Sequence, residues 1–149
     1  MKKIILFAMF ASSVSFSGIF AQEISQRNVP SVILNKFQQE YPKALDIDWK
    51  KEADLYKVDF EIGSRRTDHD VWYNNEGKVV KHKKEIAKRD LPAAVLAKIK
   101  ADFSGYRISD IKQITEAGKS IYTLELNKLT KEWKMTFDST GNILDQIAD

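Results

Sequence analysis

Few residues of this chain could carry out chemistry, and the best candidates are two histidines and a pair of neighbouring carboxylates. His69 and His82 are its only imidazoles, and Asp68 and Asp70 lie two residues apart. Imidazole can act as a general base, and a carboxylate can transfer a proton. Nucleophilic catalysis would also require a Ser or Cys activated by a nearby base, but the chain has no Cys and no Ser in a G-x-S-x-G turn. Two acids on an exposed strand are usually only solvated, so we predict no catalytic residues and no enzyme activity.

Patterns that bind metals or cofactors are also missing. The two histidines are 13 residues apart, which is not the spacing of zinc ligands. The 6 glycines are scattered, so there is neither a phosphate-binding loop nor a dinucleotide fingerprint. Asp138, Thr140 and Asn142 alternate oxygen-bearing side chains as a cation-binding loop does, but the acidic residue that closes a calcium loop is absent. We therefore predict a tight turn there, and neither a metal nor a cofactor.

The N-terminus predicts export. Two lysines precede an apolar run from Ile4 to about Val14, and small and polar residues follow as far as Ala21. This order is typical of a signal peptide. A retained membrane anchor is the alternative, but the run is shorter than the ~20 apolar residues that span a bilayer. We predict a signal peptide at residues 1–21 and a single mature domain at residues 22–149, periplasmic or secreted and not stably inserted in a membrane.

Removal of the signal peptide would leave a nearly neutral protein. The 149-residue chain has 24 basic and 21 acidic residues, and two of the basic residues lie in the signal peptide. The mature domain would therefore have 22 basic residues against 21 acidic ones. Nucleic-acid-binding domains usually carry a strongly basic stripe, and membrane-surface proteins a polybasic segment. We predict that this domain binds neither nucleic acid nor a membrane surface.

The chain carries one pattern twice, in segments 28–86 and 90–149. Apolar residues recur every three or four positions after Val29-Pro30 and again after Leu91-Pro92. This spacing predicts one amphipathic helix in each segment, with Asn28 and Asp90 as the capping residues. The apolar period then changes to two, which predicts strands. These are 46–52, 55–62, 67–73 and 78–85 in the first segment, and 108–115, 120–127, 132–137 and 142–147 in the second.

Short connections between these strands favour antiparallel pairing. We therefore predict an α+β fold: a tandem repeat of a helix and a four-strand antiparallel meander, forming a curved eight-strand sheet with two helices on one face. Residues 22–27 are interpreted as a short polar leader.

Alternation along the strands predicts that the opposite face of the sheet is free of helices. His69 falls on the helix side as a partly buried packing residue, since the second segment has Trp133 at the matching position. Trp72 falls on the helix-free face, where the second segment has Thr136. An exposed Trp is a favoured anchor for a protein partner, although a neighbouring loop or the other segment could cover it. We predict partner contacts at Trp72, Asp70, Asp68, Lys57, Asp59 and Lys134.

These features resemble those of the putative β-lactamase-inhibitor-like, PepSY-like proteins of bacterial envelopes. The shared pattern is a Val/Leu-Pro helix start, an aromatic helix end, a Trp or apolar residue, a Tyr in the next strand, and a Tyr/Phe-Asn/Asp-x-x-Gly turn. In this chain the aromatic helix ends are Tyr41 and Phe103, and the Trp or apolar residues are Trp49 and Ile114. The strand tyrosines are Tyr56 and Tyr122, and the turns are segments 73–77 and 137–141. The family implies a curved sheet with the helices on its convex side and a concave face that, by analogy with the inhibitor, holds another protein. The inhibitor's repeats carry disulfides and this chain has no Cys, and no inhibitory residue of the family can be placed on it.

Two functional hypotheses follow. The first is a non-enzymatic exported protein-binding module, an inhibitor of an envelope or secreted hydrolase or peptidase, that uses the helix-free sheet face. The alternative is a small-ligand or ion-binding sensor module in the cell envelope.

Overall fold

Residues 20–148 form one antiparallel sheet of nine strands with two α-helices. The computed structural model describes residues 20–148, so nearly all of the predicted signal peptide lies outside the described residues. The strands follow one another across the sheet in chain order, and every neighbouring pair is antiparallel. They are β1 Gln22–Ile24, β2 Leu45–Glu52, β3 Leu55–Ile62, β4 Thr67–Tyr73, β5 Val79–Glu85, β6 Arg107–Glu116, β7 Lys119–Lys128, β8 Lys131–Asp138 and β9 Ile143–Ala148. The helices are α1 Ser31–Glu40 and α2 Ala93–Asp102.

Strand β1 corrects the predicted count of eight, whereas the eight predicted strands all lie within one residue of β2–β9. The segment interpreted as a polar leader pairs with β2, where Ile24 lies opposite Trp49. A short 3-10 helix, Gln26–Asn28, then leads to α1, just as Lys88–Asp90 leads from β5 to α2. Residues 23–28 and 85–90 both read Glu-Ile-x-x-Arg-Asx, a recurrence that would have predicted the extra strand.

The helices begin later than their predicted caps. Asn28 and Asp90 each end a 3-10 helix, and the α-helices start directly after Pro30 and Pro92. Proline forces the residue before it into an extended conformation, so neither helix can start at the Asx. The described part of the chain has no helix long and apolar enough to cross a membrane.

Each helix covers its own half of the sheet and forms a separate core. Ile33 and Phe37 of α1 pack on strands β2–β4, and Val95 and Ile99 of α2 pack on strands β6–β8. Both helices lie on the same face, because Val71, His82 and Thr115 are successive cross-strand partners from β4 to β6, and directly paired residues point to one side. We call this side the helix-covered face and the other the helix-free face.

The predicted turn at Asp138 is confirmed, and it brings a hairpin against α2. The Asp138 Oδ1 accepts hydrogen bonds from the backbone N–H groups of Thr140 and Asn142, each at 2.9 Å. The hydrogen bonds from Asn142 and Thr140 lower the pKa of the Asp138 carboxyl to about 2. Gly141 follows with a φ of 88°, and a Cβ there would lie 2.6 Å from the carbonyl oxygen of Ala94. Glycine is therefore required where the helix and the hairpin meet.

Candidate binding face

The helix-free face carries a chain of alternating charges across strands β2–β5. We call this chain the charge ladder; it consists of Lys50, Asp59, Lys57, Asp70 and Lys83. Lys50 donates to Asp59, and the Lys57 Nζ lies 2.6 Å from the Asp59 Oδ1 and 3.4 Å from the Asp70 Oδ2. The Lys83 Nζ lies 2.5 Å from the same Asp70 oxygen. Five charges on four strands are thereby held in a fixed arrangement.

The ladder lies partly below the surface, which strengthens its electrostatic interactions. The side chains of Lys57 and Asp70 are each only 14% exposed. Burial tends to raise the pKa of Asp59, but the hydrogen bonds from Lys50 and Lys57 outweigh it and hold that pKa below its usual value. The hydrogen bond to Asp59 in turn raises the pKa of Lys50. These shifts favour the charged forms of Asp59 and Lys50 at neutral pH.

Trp72 lies on the helix-free face as predicted, but it is buried there and not exposed as expected. Its side chain is 8% exposed, and its indole Nε1–H donates to the Glu52 Oε2 at 2.7 Å. The Nζ atoms of Lys81 and Lys57 lie 4.8 and 5.2 Å from the ring centroid. Long lysine side chains can cover apolar surface while their charges stay in water. The Trp is thus covered by side chains of its own sheet, and not by a loop or the other segment.

Four of the six predicted contact residues lie together. Lys57, Asp59, Asp68 and Asp70 line one open cavity of about 390 Å³ on the helix-free face. Lys134 is separate from them, since it lies on β8 opposite Glu125 and lines another cavity of about 200 Å³. The structure therefore divides the predicted site into a cluster on β3 and β4, with Trp72 beside it, and an outlying lysine.

The two histidines meet on the helix-covered face. The His69 Nδ1 and the His82 Nε2 are 3.1 Å apart, and the ring centroids are 5.3 Å apart. The two nitrogens therefore lie close to the line between the rings, as in a direct N–H···N hydrogen bond. His69 also stacks on Phe60, which confirms its packing role. Sequence reasoning missed the pairing, although the predicted neighbouring strands carried both rings on one face.

Neutral imidazoles are favoured at this position. Burial lowers the pKa of His69, and the charge of Lys84 adds to this effect. Burial also lowers the pKa of His82 to about 4, with His69 and Lys84 contributing. Within residues 20–148, no three or more His, Cys, Asp or Glu side chains are grouped so that they could hold a metal ion.

Comparison with solved structures finds the same fold in several proteins from Bacteroides species. A putative periplasmic protein from Bacteroides eggerthii matches with 21% identity over 80% of this chain and 88% of its own, at a TM-score of 0.66. A DUF2874 family protein from Bacteroides uniformis matches with 21% identity and the same coverage, at a TM-score of 0.64. A BLIP-like protein from Bacteroides fragilis matches with 17% identity over 80% of this chain and 85% of its own, at a TM-score of 0.60. At these identities the likeness shows a shared fold. No curated protein matches the chain.

The match to a protein family covers most of the chain. The family described as "Putative beta-lactamase-inhibitor-like, PepSY-like" matches twice, at residues 19–81 and 54–145. The first match runs from just before β1 into β5 and contains α1, and the second runs from just before β3 into β9 and contains α2. The chain therefore belongs to the putative beta-lactamase-inhibitor-like, PepSY-like family.

Proposed function

We propose that the protein is a non-enzymatic, exported protein-binding module that contacts its partner through the helix-free face. The observation that carries this proposal is the charge ladder. The ladder's ion-paired, half-buried charges lie on a sheet face that no helix covers, so they present a fixed electrostatic pattern. Such a pattern can select a partner whose charges are complementary. Because the ladder is already ordered, little side-chain entropy remains to be lost on binding.

Trp72 has a different role in this proposal from the one expected from sequence. Since its ring is covered, it does not insert into the partner. The Lys57 and Lys81 ammonium groups lie over its ring, and these cation–π contacts hold both lysines in position. The partner would meet Lys81 and the carboxylates around the 390 Å³ cavity.

The family supports an inhibitor as the specific form of this function. Its description refers to a β-lactamase inhibitor, and one structural neighbour is a BLIP-like protein. We propose that the target is an envelope or secreted hydrolase or peptidase, and that the protein acts in the periplasm, as the name of the Bacteroides eggerthii neighbour suggests for that protein. Export and cleavage after Ala21 are part of the same proposal, and N-terminal sequencing of the secreted protein tests them.

The test compares charge reversals on the two faces. Asp68→Lys changes an exposed residue beside the cavity, and Lys81→Glu changes the cation above Trp72. Asp102→Lys makes the same type of change on α2, where Asp102 has an exposed ion pair with Lys98. Purified variants, checked for folding by thermal melting, are cross-linked to envelope extract, and the captured proteins are identified by mass spectrometry.

We expect one partner to be recovered by the wild type and Asp102→Lys, and much less by the two variants of the helix-free face. Equal recovery by all four proteins would reject that face as the binding surface. The captured partner is then assayed for hydrolase and peptidase activity. Unchanged activity at saturating concentrations of the protein would reject inhibition, while the binding role would stand on the recovery experiment.

A further inference from the structure

The helix-covered face has a cavity at the junction of the two halves. It has a volume of about 460 Å³, and no residue of either α-helix lines it. One wall is the hairpin between β3 and β4, which contributes Arg65 and Thr67, and another is the 3-10 helix before α2, which contributes Arg89. Lys84 of β5 and His69 of β4 form the floor. Three basic side chains thus converge on one concave site.

Lys84 differs from the lysines of the charge ladder, although all of them are partly buried. Lys50, Lys57 and Lys83 each contact a carboxylate on the helix-free face. Lys84 points to the other face, and its ammonium group has no hydrogen bond or ion pair with any side chain between residues 20 and 148. A partly buried cation without a counter-charge is unfavourable, so a bound anion would be stabilised at this position.

Glu85 and Asp90 also line the cavity, but neither forms an ion pair with Lys84. Asp90 accepts a hydrogen bond from the backbone N–H of Ala87 at 3.3 Å, and its nearest contact with Arg89 is 4.0 Å. Glu85 is paired across the sheet with Lys112, and the alternation along β5 turns it away from Lys84. Arg65 is exposed, lines the cavity and has no ion pair with another described residue.

We propose that this cavity binds a small ligand through a phosphate or carboxylate group. Lys84 would act as the central point charge, and Arg65 and Arg89 offer planar guanidinium groups that can bind two oxygens of an anion at once. Thr67 provides a hydroxyl donor at the same wall. The volume falls in the range of about 300–1,000 Å³ that is typical of small-molecule sites, so the ligand is larger than a lone oxyanion.

This site is independent of the proposed protein-binding function, because it lies on the opposite face of the sheet. It also has no counterpart in the second half of the molecule. The residue of β9 that matches Lys84 of β5 is Ala148, counted from the shared turn glycines Gly77 and Gly141. The cavity therefore belongs to the junction, where both halves contribute a wall.

The test is a titration of the purified protein with inorganic phosphate and, separately, with citrate, followed by NMR of the backbone amides. Sodium chloride is titrated in parallel to the same ionic strength. We expect saturable shifts at residues 65, 67, 69, 84 and 89 with phosphate, citrate or both, and the preferred probe identifies the anionic group. Lys84→Met should raise the dissociation constant about tenfold or more, because a charge-assisted contact is lost.

Lys98→Met is the matched control, since it removes an exposed lysine of α2 that does not line the cavity, and it should leave the dissociation constant unchanged. Arg89→Ala should also weaken binding. Because Arg89 is exposed and lies outside the sheet, this variant provides the test if Lys84→Met fails to fold. Shifts that do not saturate, or that chloride reproduces, would overturn the proposal. So would equal dissociation constants for the wild type and a folded Lys84→Met or Arg89→Ala variant.

Discussion

The hydrogen bond between His69 and His82 makes the stability of the fold depend on pH. The pair can share one proton, but full protonation of both rings would place two cations 3.1 Å apart. Tyr41 packs on both rings, and Lys84 opposes a positive charge on either. The carboxylates of Glu40, Asp68 and Asp70 favour a positive charge but do not outweigh burial and Lys84. Because the folded pKa of His82 is about 4, below the usual 6.5, the unfolded chain binds the proton more strongly.

Stability should therefore be greatest above pH 6.5 and should fall as the pH is lowered towards 4. We expect the wild type to lose about 1 kcal/mol of its free energy of unfolding between pH 7.5 and 5, after allowance for partial exposure of the rings. His82→Gln cannot take up the proton, so its loss over this range should be smaller. Urea unfolding at a series of pH values measures the difference, and parallel curves for the two proteins would contradict the expected role of the pair.

Trp72 should contribute to stability as a covered side chain. Trp72→Thr introduces the residue that the second half has at the matching position, Thr136, and should lower the free energy of unfolding by about 2–3 kcal/mol. Trp72→Phe retains most of the ring and loses the hydrogen bond to Glu52, so we expect a loss of about 1 kcal/mol. Urea denaturation of the three proteins checks this order. Equal stability of Trp72→Thr and the wild type would show that the ring is exposed in solution.

The helices and most strands could be predicted from sequence because each depends on a local period. Apolar residues such as Ile33 and Phe37 recur with the helical period, and Val58 and Phe60 alternate as strand residues do. Strand β1 was missed because three residues, two of them polar, are too short to show a period. Its pairing depends on Trp49, which lies 25 residues further along the chain from Ile24.

The candidate sites depended more strongly on tertiary contacts. Sequence alternation placed Asp59 and Asp70 on one face correctly. The burial of Trp72 depends on Glu52 of β2 and Lys81 of β5, the strands on either side of β3 and β4. The cavity at Lys84 requires the 3-10 helix before α2 to lie against the β3–β4 hairpin. No local pattern reports such packing, so an exposed tryptophan was the natural interpretation.

The close approach of α2 to the β8–β9 hairpin gives a prediction at the level of elements. Gly141→Ala would place a Cβ 2.6 Å from the Ala94 carbonyl oxygen at a φ of 88°, so we expect a loss of about 2–3 kcal/mol in the free energy of unfolding. Gly63→Ala is the control, because its φ is 79° but no atom lies within 4 Å of the new Cβ. That variant should lose only about 1 kcal/mol. Thermal or urea unfolding that gives the two variants equal stability would argue against a tight helix–hairpin contact.

The molecule as a whole is one continuous sheet that carries two separate cores. The pairing of β5 with β6 joins the halves through five residue pairs from Lys81–Glu116 to Glu85–Lys112. On the helix-covered face the β6 side of this junction is polar: the Gln113 side chain donates to the Ser120 Oγ of β7 at 3.2 Å, and the hydroxyls of Thr115 and Ser120 are 2.8 Å apart. Main-chain pairing thus connects the halves, while the buried apolar clusters that stabilise them do not merge.

This separation predicts that the two halves can open independently. Ile33 of α1 and Val95 of α2 are both fully buried at matching positions, 62 residues apart. Ile33→Ala should destabilise the first core by about 3 kcal/mol and accelerate amide hydrogen exchange in β2–β4 by about 100-fold, with a much smaller effect in β7–β9. Val95→Ala should give the reverse pattern. Native-state hydrogen exchange followed by NMR measures both, and equal acceleration in the two halves by either variant would show that the β5–β6 junction makes the whole sheet unfold as one unit.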